Sequence, residues 1–130
     1  MRSSMTVNGN RQTEYSSLRK ISVSEDWFEV YEIASNLFAF CETGHHENTT
    51  IALLIGPKKA ALIDSGCGIG DLRKVVAEIT DKPVIVINTH THLDHLGSNR
   101  QFDELAMLDH PLSRRVSVQA ASHEIIQRKF

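Results

Sequence analysis

Features that mark membrane or secreted proteins are missing from this sequence of 130 residues. No apolar run approaches the roughly 18 residues that a membrane-spanning helix requires, and the first residues lack the apolar core of a secretory signal. Cysteine is scarce as well: Cys41 and Cys67 are the only two, and without a secretory signal we expect both thiols to stay reduced. The sequence therefore predicts a cytoplasmic protein that does not enter a membrane.

Charge of one sign is not in excess either. The 14 lysines and arginines against 16 aspartates and glutamates give a formal net charge of -2, so the chain has no basic field to attract nucleic acid. We expect its partner to be a small-molecule substrate and not a nucleic acid.

The composition is that of an ordinary globular domain, with 41% apolar and 23% charged residues. A chain of this length can bury one core but not two. Residues 1–20 are polar and aperiodic, which predicts a flexible leader. Residues 21–130 are then expected to form a single domain.

Alternating strand and helix patterns predict an α/β fold. Runs of β-branched and aromatic residues predict strands, at residues 27–33, 37–40, 49–55, 60–63 and 84–87. Residues 69–80 have one apolar face at helical spacing, made of Ile69, Leu72, Val75, Val76 and Ile79. The strand–helix–strand unit over residues 60–87 should therefore have parallel strands and a right-handed crossover.

The end of the chain carries weaker patterns. They predict a helical turn near residues 101–104, a short strand at 105–108 and one or two helices over 111–129.

The densest group of functional side chains directly follows the strand at 84–87. His90, His92, Asp94 and His95 fall within six consecutive positions. In an extended chain the rings of His90 and His92 leave the same side of the backbone. A turn near Leu93 would then bring the other two side chains toward a second position, so the group could bind two metal ions.

An alternative without metal is that the group decorates an exposed helix. His90 and Asp94 have i, i+4 spacing, and His92 and His95 have i, i+3 spacing. The β-branched run before them favours the end of a strand. Nitrogen and carboxylate donors favour Zn²⁺, one ion or two, with Fe or Mn as further candidates.

The spacing of His90, His92, Asp94 and His95 resembles the His-x-His-x-Asp-His motif of the metallo-β-lactamase superfamily. Upstream, the loop that begins with Asp64 is similar to the Asp-[Thr/Ser]-Gly motif of the same family. The resemblance covers about residues 27–110. It implies the amino-terminal half of a metallo-β-lactamase-like αββα sandwich.

The same resemblance implies a role for each residue. His90 and His92 would bind the first ion, Asp94 and His95 the second, and Asp64 would orient the ligands from behind. The family activity is hydrolysis, in which a metal-activated water attacks an ester, thioester, amide or phosphoester. Asp94 is then the expected catalytic residue, because its carboxylate can both bind metal and orient the water.

The sequence departs from the family in lacking the motifs of a second, similar half, which supplies further ligands. His110 and His123 lie downstream, and neither matches the order of those ligands. We therefore expect a truncated domain with incomplete metal shells, weak metal affinity and one uncovered apolar sheet face. A second copy or a separate second half would complete it.

Two further predictions concern function and nearby residues. The alternative to a hydrolase is a non-catalytic metal-binding or assembly half-domain, and a third version of the family chemistry uses iron for redox reactions. His45 and His46 are expected in a solvated loop, and Cys67 follows the Asp64 loop closely enough to approach the metals.

Overall fold

The computed structural model describes residues 15–119 and 124–128. This part of the chain forms one sheet in which the strands lie side by side in sequence order. The strands are β1 (Arg19–Ile21), β2 (Glu29–Ala34), β3 (Leu37–Cys41), β4 (Thr50–Ile55), β5 (Ala60–Ile63), β6 (Val84–Ile87), β7 (Glu104–Leu108) and β8 (Glu124–Arg128). The helices are α1 (Leu72–Ile79), α2 (Leu93–Leu96) and α3 (Pro111–Gln119), with a 3₁₀ turn at Asn99–Gln101.

The sheet changes direction at β5. Strands β1 to β5 pair antiparallel, whereas β5 to β8 pair parallel. Parallel strands need a crossover, which α1, α2 and α3 supply in turn. The carboxyl ends of β5, β6 and β7 consequently lie at one edge of the sheet, where open α/β sheets place their sites.

One face of the sheet packs against α1. Residues of this face form a single core with Leu72, Val75 and Val76 of the helix. The strand members of that core are Val30, Phe38, Phe40, Ile51, Leu53, Ala60, Leu62, Val86 and Leu105. Asp71 caps the helix, since its side chain accepts a hydrogen bond from the backbone N–H of Lys74.

The opposite face is apolar and incompletely covered. Strand register places Leu37, Leu54, Ala61 and Ile85 in one row across β3 to β6. None of the four is buried, and Leu54 is 45% exposed. The uncovered apolar face that the sequence predicted is therefore present only in part, since Leu37, Ala61 and Ile85 are partly buried.

Most predicted elements are present near their expected positions. The strands at 60–63 and 84–87 have the bounds that the pattern gave, and their pairing is parallel as expected. Cys41 and Cys67 are not joined by a disulfide in the structure. No helix in the described part of the chain is long and apolar enough to span a bilayer.

Three details differ from the prediction. The sheet begins at Arg19, inside the segment assigned to the leader, because β1 pairs with β2; residues 1–14 lie outside the described residues. Ile69 is 56% exposed, since the helix begins only at Leu72, after the cap. Glu124–Arg128 is a strand and not a helix, because it pairs with the open edge of β7. The helical assignment of His123 lies outside the described residues.

The contrast between the two faces gives a stability prediction. Leu72→Ala should lower the free energy of unfolding by about 2–5 kcal/mol, because the fully buried side chain leaves a cavity in the core. The matched change Leu54→Ala should cost only about 1 kcal/mol, since this leucine is half exposed. Urea unfolding followed by circular dichroism measures both. A loss at Leu54 as large as that at Leu72 would mean that the second face is covered in solution.

Candidate metal centre

Three segments at the carboxyl edge of the sheet carry the predicted site residues. Asp64 follows β5 directly, His90 and His92 follow β6, and Asp94 and His95 lie in the short helix α2. The parallel pairing of Ile63 with Ile87 brings the first two segments side by side. The structure therefore brings all five predicted residues to one edge.

Asp64 is the most constrained of the five residues. It is only 5% exposed and has a positive φ of 66°, which asparagine and aspartate tolerate better than most residues. Thr89 donates its backbone N–H to Oδ1 at 2.8 Å and its hydroxyl to Oδ2 at 2.7 Å. Nδ1 of His95 lies 2.9 Å from the same Oδ2. The carboxylate is thus fully engaged by groups that belong to the site.

These contacts decide the tautomers of two histidines. A carboxylate can only accept, so Nδ1 of His95 carries a proton and donates it to Asp64, while Nε2, the other ring nitrogen, lies beside the carboxylate of Asp94. The single hydroxyl proton of Thr89 is already given to Asp64. Nδ1 of His90, 2.8 Å from that hydroxyl oxygen, must therefore donate to it. In a neutral ring, Nε2 of His90 then carries no proton and can bind a metal.

Possible metal-ligand atoms of three of these side chains lie close together. Among the described residues, one group of His, Cys, Asp or Glu places three donor atoms within 4.8 Å of one another, and its members are Asp64, His90 and His95. The ring of His92 lies 4.6 Å from that of His90, centroid to centroid. Asp94 Oδ2 is 3.3 Å from Nε2 of His95. Imidazole and carboxylate donors at this separation suit Zn²⁺, Fe or Mn.

The carboxylate of Asp64 thus lies among the converging donor atoms and not only behind them. The carboxylate that orients His95 is itself part of the converging group. His92 and Asp94 lie beside that group and not within it. The assignment of His90, His92, Asp94 and His95 as ligands, with Asp64 behind them, stays a prediction.

Thr49, which the sequence did not single out, holds Asp94. This buried threonine donates its hydroxyl to Oδ2 of Asp94 at 3.3 Å. Its position just before β4 places it across the sheet edge from α2. No local spacing could reveal this contact, because it joins residues that are 45 positions apart.

A cleft of about 480 Å³ opens beside the donors. His45 and Cys67 line one part of it, and His92, Leu93 and Asp94 line another. The loop of His45 and His46, which the sequence predicted to be solvated, thus borders the same cleft as Cys67 and the candidate ligands. Leu93 is 81% exposed, so the cleft offers an apolar contact next to the polar group.

Other histidines lie farther from the donors. His110 lines a smaller cavity of about 160 Å³ together with His90, and its Nδ1 accepts a hydrogen bond from the backbone N–H of Leu112. It is not a member of the converging group.

Cys67 sits in the cleft as a thiol that resists ionisation. Burial raises its pKa to about 11, with the nearby carboxylate of Glu42 as the next cause. Glu42 is itself buried and accepts hydrogen bonds from the backbone N–H of Cys67 and from the indole of Trp27.

Comparison with known families and proteins gives a consistent result. The family model described as the metallo-beta-lactamase superfamily matches residues 46–110, which is half of the chain. Two curated proteins named acyl-coenzyme A thioesterase MBLAC2 also match. The protein from Homo sapiens is 26% identical over 98 residues, and that from Gallus gallus is 27% identical over 95 residues. Each match covers 63% of this chain and 34% of the relative, so the chain matches about a third of the length of these relatives.

Solved structures share the fold at lower identity. A metallo-beta-lactamase from Pontibacter korlensis has a TM-score of 0.54 at 22% identity, covering 79% of this chain and 52% of its own. The enzyme TMB-1 has a TM-score of 0.54 at 18% identity, with coverage of 82% and 53%. A flavo di-iron protein from Thermotoga maritima has a TM-score of 0.52 at 15% identity, with coverage of 87% and 33%.

The raised pKa of Cys67 predicts slow alkylation of the metal-free protein. With a pKa of about 11, the thiolate fraction near pH 8 is roughly two orders of magnitude below that of an ordinary cysteine with a pKa near 8.5. The rate of iodoacetamide labelling in a Cys41→Ala background should rise about tenfold per pH unit up to about pH 10. Adding Glu42→Gln should speed labelling at pH 8. A rate that levels off between pH 8 and 9 would contradict this assignment.

Proposed function

Because this chain belongs to the metallo-β-lactamase superfamily, we propose that it carries the metal-binding half of a metal-dependent hydrolase. The fold is the amino-terminal half of a metallo-β-lactamase-like αββα sandwich. The observation that carries the proposal is the convergence of Asp64, His90 and His95 at the sheet edge, where a hydrogen bond holds Nδ1 of each histidine.

The proposed division of labour follows the family pattern. His90 and His92 hold one ion, Asp94 and His95 hold the second, and Asp64 keeps His95 in the tautomer that can bind. Zinc is the first choice for this donor set, and when bound it lowers the pKa of water toward about 7.

The chain's own residues then orient and deprotonate the attacking water. Asp94 accepts a hydrogen bond from that water and takes up its proton. The hydroxyl of Thr49 donates a hydrogen bond to Oδ2 of Asp94 and so holds this carboxylate in place. Asp64 and Thr89 hold His90 and His95 in place, so that their rings need not reorganise during turnover.

A thioester is the substrate class that we place first among the ester, thioester, amide and phosphoester candidates. The curated relatives are named acyl-coenzyme A thioesterases, and the cleft pairs the polar donors with the exposed side chain of Leu93, which suits an apolar acyl group. In this reaction water adds to the carbonyl carbon, the carbon–sulfur bond breaks, and an acid and a thiol are released.

The incompletely covered sheet face favours a second proposal, which concerns assembly. The row formed by Leu37, Leu54, Ala61 and Ile85 is apolar and not buried. We propose that a second half-domain packs on this face, as the αββα architecture requires two sheets face to face. If the chain does not turn over substrate, this pairing and metal binding together are its function.

Metal content tests the centre directly. Protein purified and equilibrated with Zn²⁺ should retain the ion, and His92→Ala should retain at least tenfold less, because a ligand is lost. Plasma emission spectrometry after gel filtration gives the ratio. Lys74→Ala is the control, since this exposed residue of α1 does not line the cleft and its loss should leave zinc content unchanged. Negligible zinc in the wild type would overturn the metal assignment.

Turnover tests the reaction class. The chain with added Zn²⁺ should hydrolyse an acyl thioester, with thiol release followed by a chromogenic disulfide, and faster than a matched oxygen ester or phosphodiester. Asp94→Asn should reduce the rate by about 10²–10⁴-fold, the usual contribution of a general base. Equal rates for wild type and Asp94→Asn would show that the activity does not come from this centre.

A further inference from the structure

A network of buried polar side chains lies directly behind the candidate centre. Its members are Ser65, Asn88, Ser98 and Asn99, which are 0%, 5%, 1% and 3% exposed. Buried polar groups are costly unless hydrogen-bonded. Asn88, Ser98 and Asn99 were not among the predicted site residues, although each lies within a few positions of a predicted ligand.

Asn99 is the hub of this network. Its Oδ1 accepts a hydrogen bond from the hydroxyl of Ser65 at 2.7 Å and another from Nδ2 of Asn88 at 3.2 Å. Its own Nδ2 donates to Oδ1 of Asn88 at 2.8 Å. The hydroxyl oxygen of Ser65 also accepts the backbone N–H of Ser98 at 3.1 Å. One side chain thus joins the segments that follow β5, β6 and α2.

The network ends on the main chain of His95. The carbonyl oxygen of His95 accepts the backbone N–H of Ser65 at 2.9 Å and Nδ2 of Asn88 at 3.2 Å. The helix α2 has only four residues, too few to hold its own geometry in isolation. Contacts from outside the helix must therefore fix the position of His95.

Close packing of two loops reinforces the same arrangement. The backbone N–H of Gly97 donates to the carbonyl of Gly66 at 2.8 Å. A Cβ at position 97 would lie 2.2 Å from the carbonyl carbon of Cys67. The loop that carries Asp64 and the loop that leaves α2 consequently touch through backbone atoms, and the network fills the space beside them.

We propose that Asn99 is a positioning residue for the candidate centre. Through Asn88 and Ser65 it fixes the main chain of His95, so that the ring keeps Nδ1 on Asp64 and turns Nε2 toward the metal side. The effect on zinc affinity rests on the proposed function. The effect on the His95 ring does not, because it is a property of the metal-free protein.

The ring nitrogens of His95 provide the first test. Long-range nitrogen–proton NMR of the metal-free protein, at a pH where the ring is neutral, should show the Nδ1–H tautomer for His95 in the wild type. Asn99→Ala should shift His95 to a mixture with a substantial Nε2–H share, because the backbone is no longer held. Val76→Ala leaves a cavity in the core under α1 and removes no hydrogen bond of the network. It is the control for lost stability alone and should keep the wild-type tautomer.

Zinc affinity provides the second test, by competition with a chromophoric chelator. Asn99→Ala should bind zinc about 10–100-fold more weakly than the wild type, the usual loss when an outer partner of a ligand is removed. Val76→Ala should bind as the wild type does. If the wild type binds no zinc but the tautomer pattern is as expected, the metal function fails and the positioning role stands.

A smaller substitution keeps the test decisive if Asn99→Ala does not fold. Ser65→Ala removes one of the two donors to Asn99 while its backbone N–H still binds the His95 carbonyl. It should shift the tautomer in the same direction, by less. A wild-type tautomer in every folded variant of Asn99 and Ser65 would overturn the proposal.

Discussion

The hydrogen bonds of the buried Asp64 carboxylate are the constraint on which the candidate centre depends. A carboxylate that is 5% exposed is stable only if donors replace its lost hydration. Thr89 supplies two of them and His95 the third. These partners come from the loop after β6 and from α2, so satisfying one side chain also fixes where the two histidine-bearing segments lie.

That constraint can be met because of the sheet register beneath it. The backbone N–H of Asp64 donates to the carbonyl of Ile87 at 2.9 Å, which continues the parallel ladder of β5 and β6 by one residue. The ladder in turn is held by the core, where Leu62 and Val86 are paired neighbours that face α1. A slip of β6 by one residue would turn Val86 to the other face of the sheet. Core packing therefore sets the geometry of the centre.

Whether a feature of the fold or the site could be predicted from the sequence depends on how far apart along the chain the interacting residues lie. The strands at 60–63 and 84–87 and the group from His90 to His95 were predictable, because β-branched runs and ligand spacing are local patterns. The strand at Glu124–Arg128 was not, since it depends on the free edge of β7. Neither was the contact of Asn99 with Ser65, which joins positions 34 apart. The one local signal for that contact was that Asn99 and Ser65 are short polar residues close in sequence to the predicted site residues His95 and Asp64.

The hydrogen bonds that order the candidate centre limit what a second half-domain would add to it. Asp64, Thr89, His90 and His95 are held by one another and by the buried network, all within the described residues. When a site is already ordered, little of the metal's binding free energy is spent on folding it. The second half would then contribute further ligands and cover the row around Leu54, while the arrangement of the first donors is a property of this half of the sandwich.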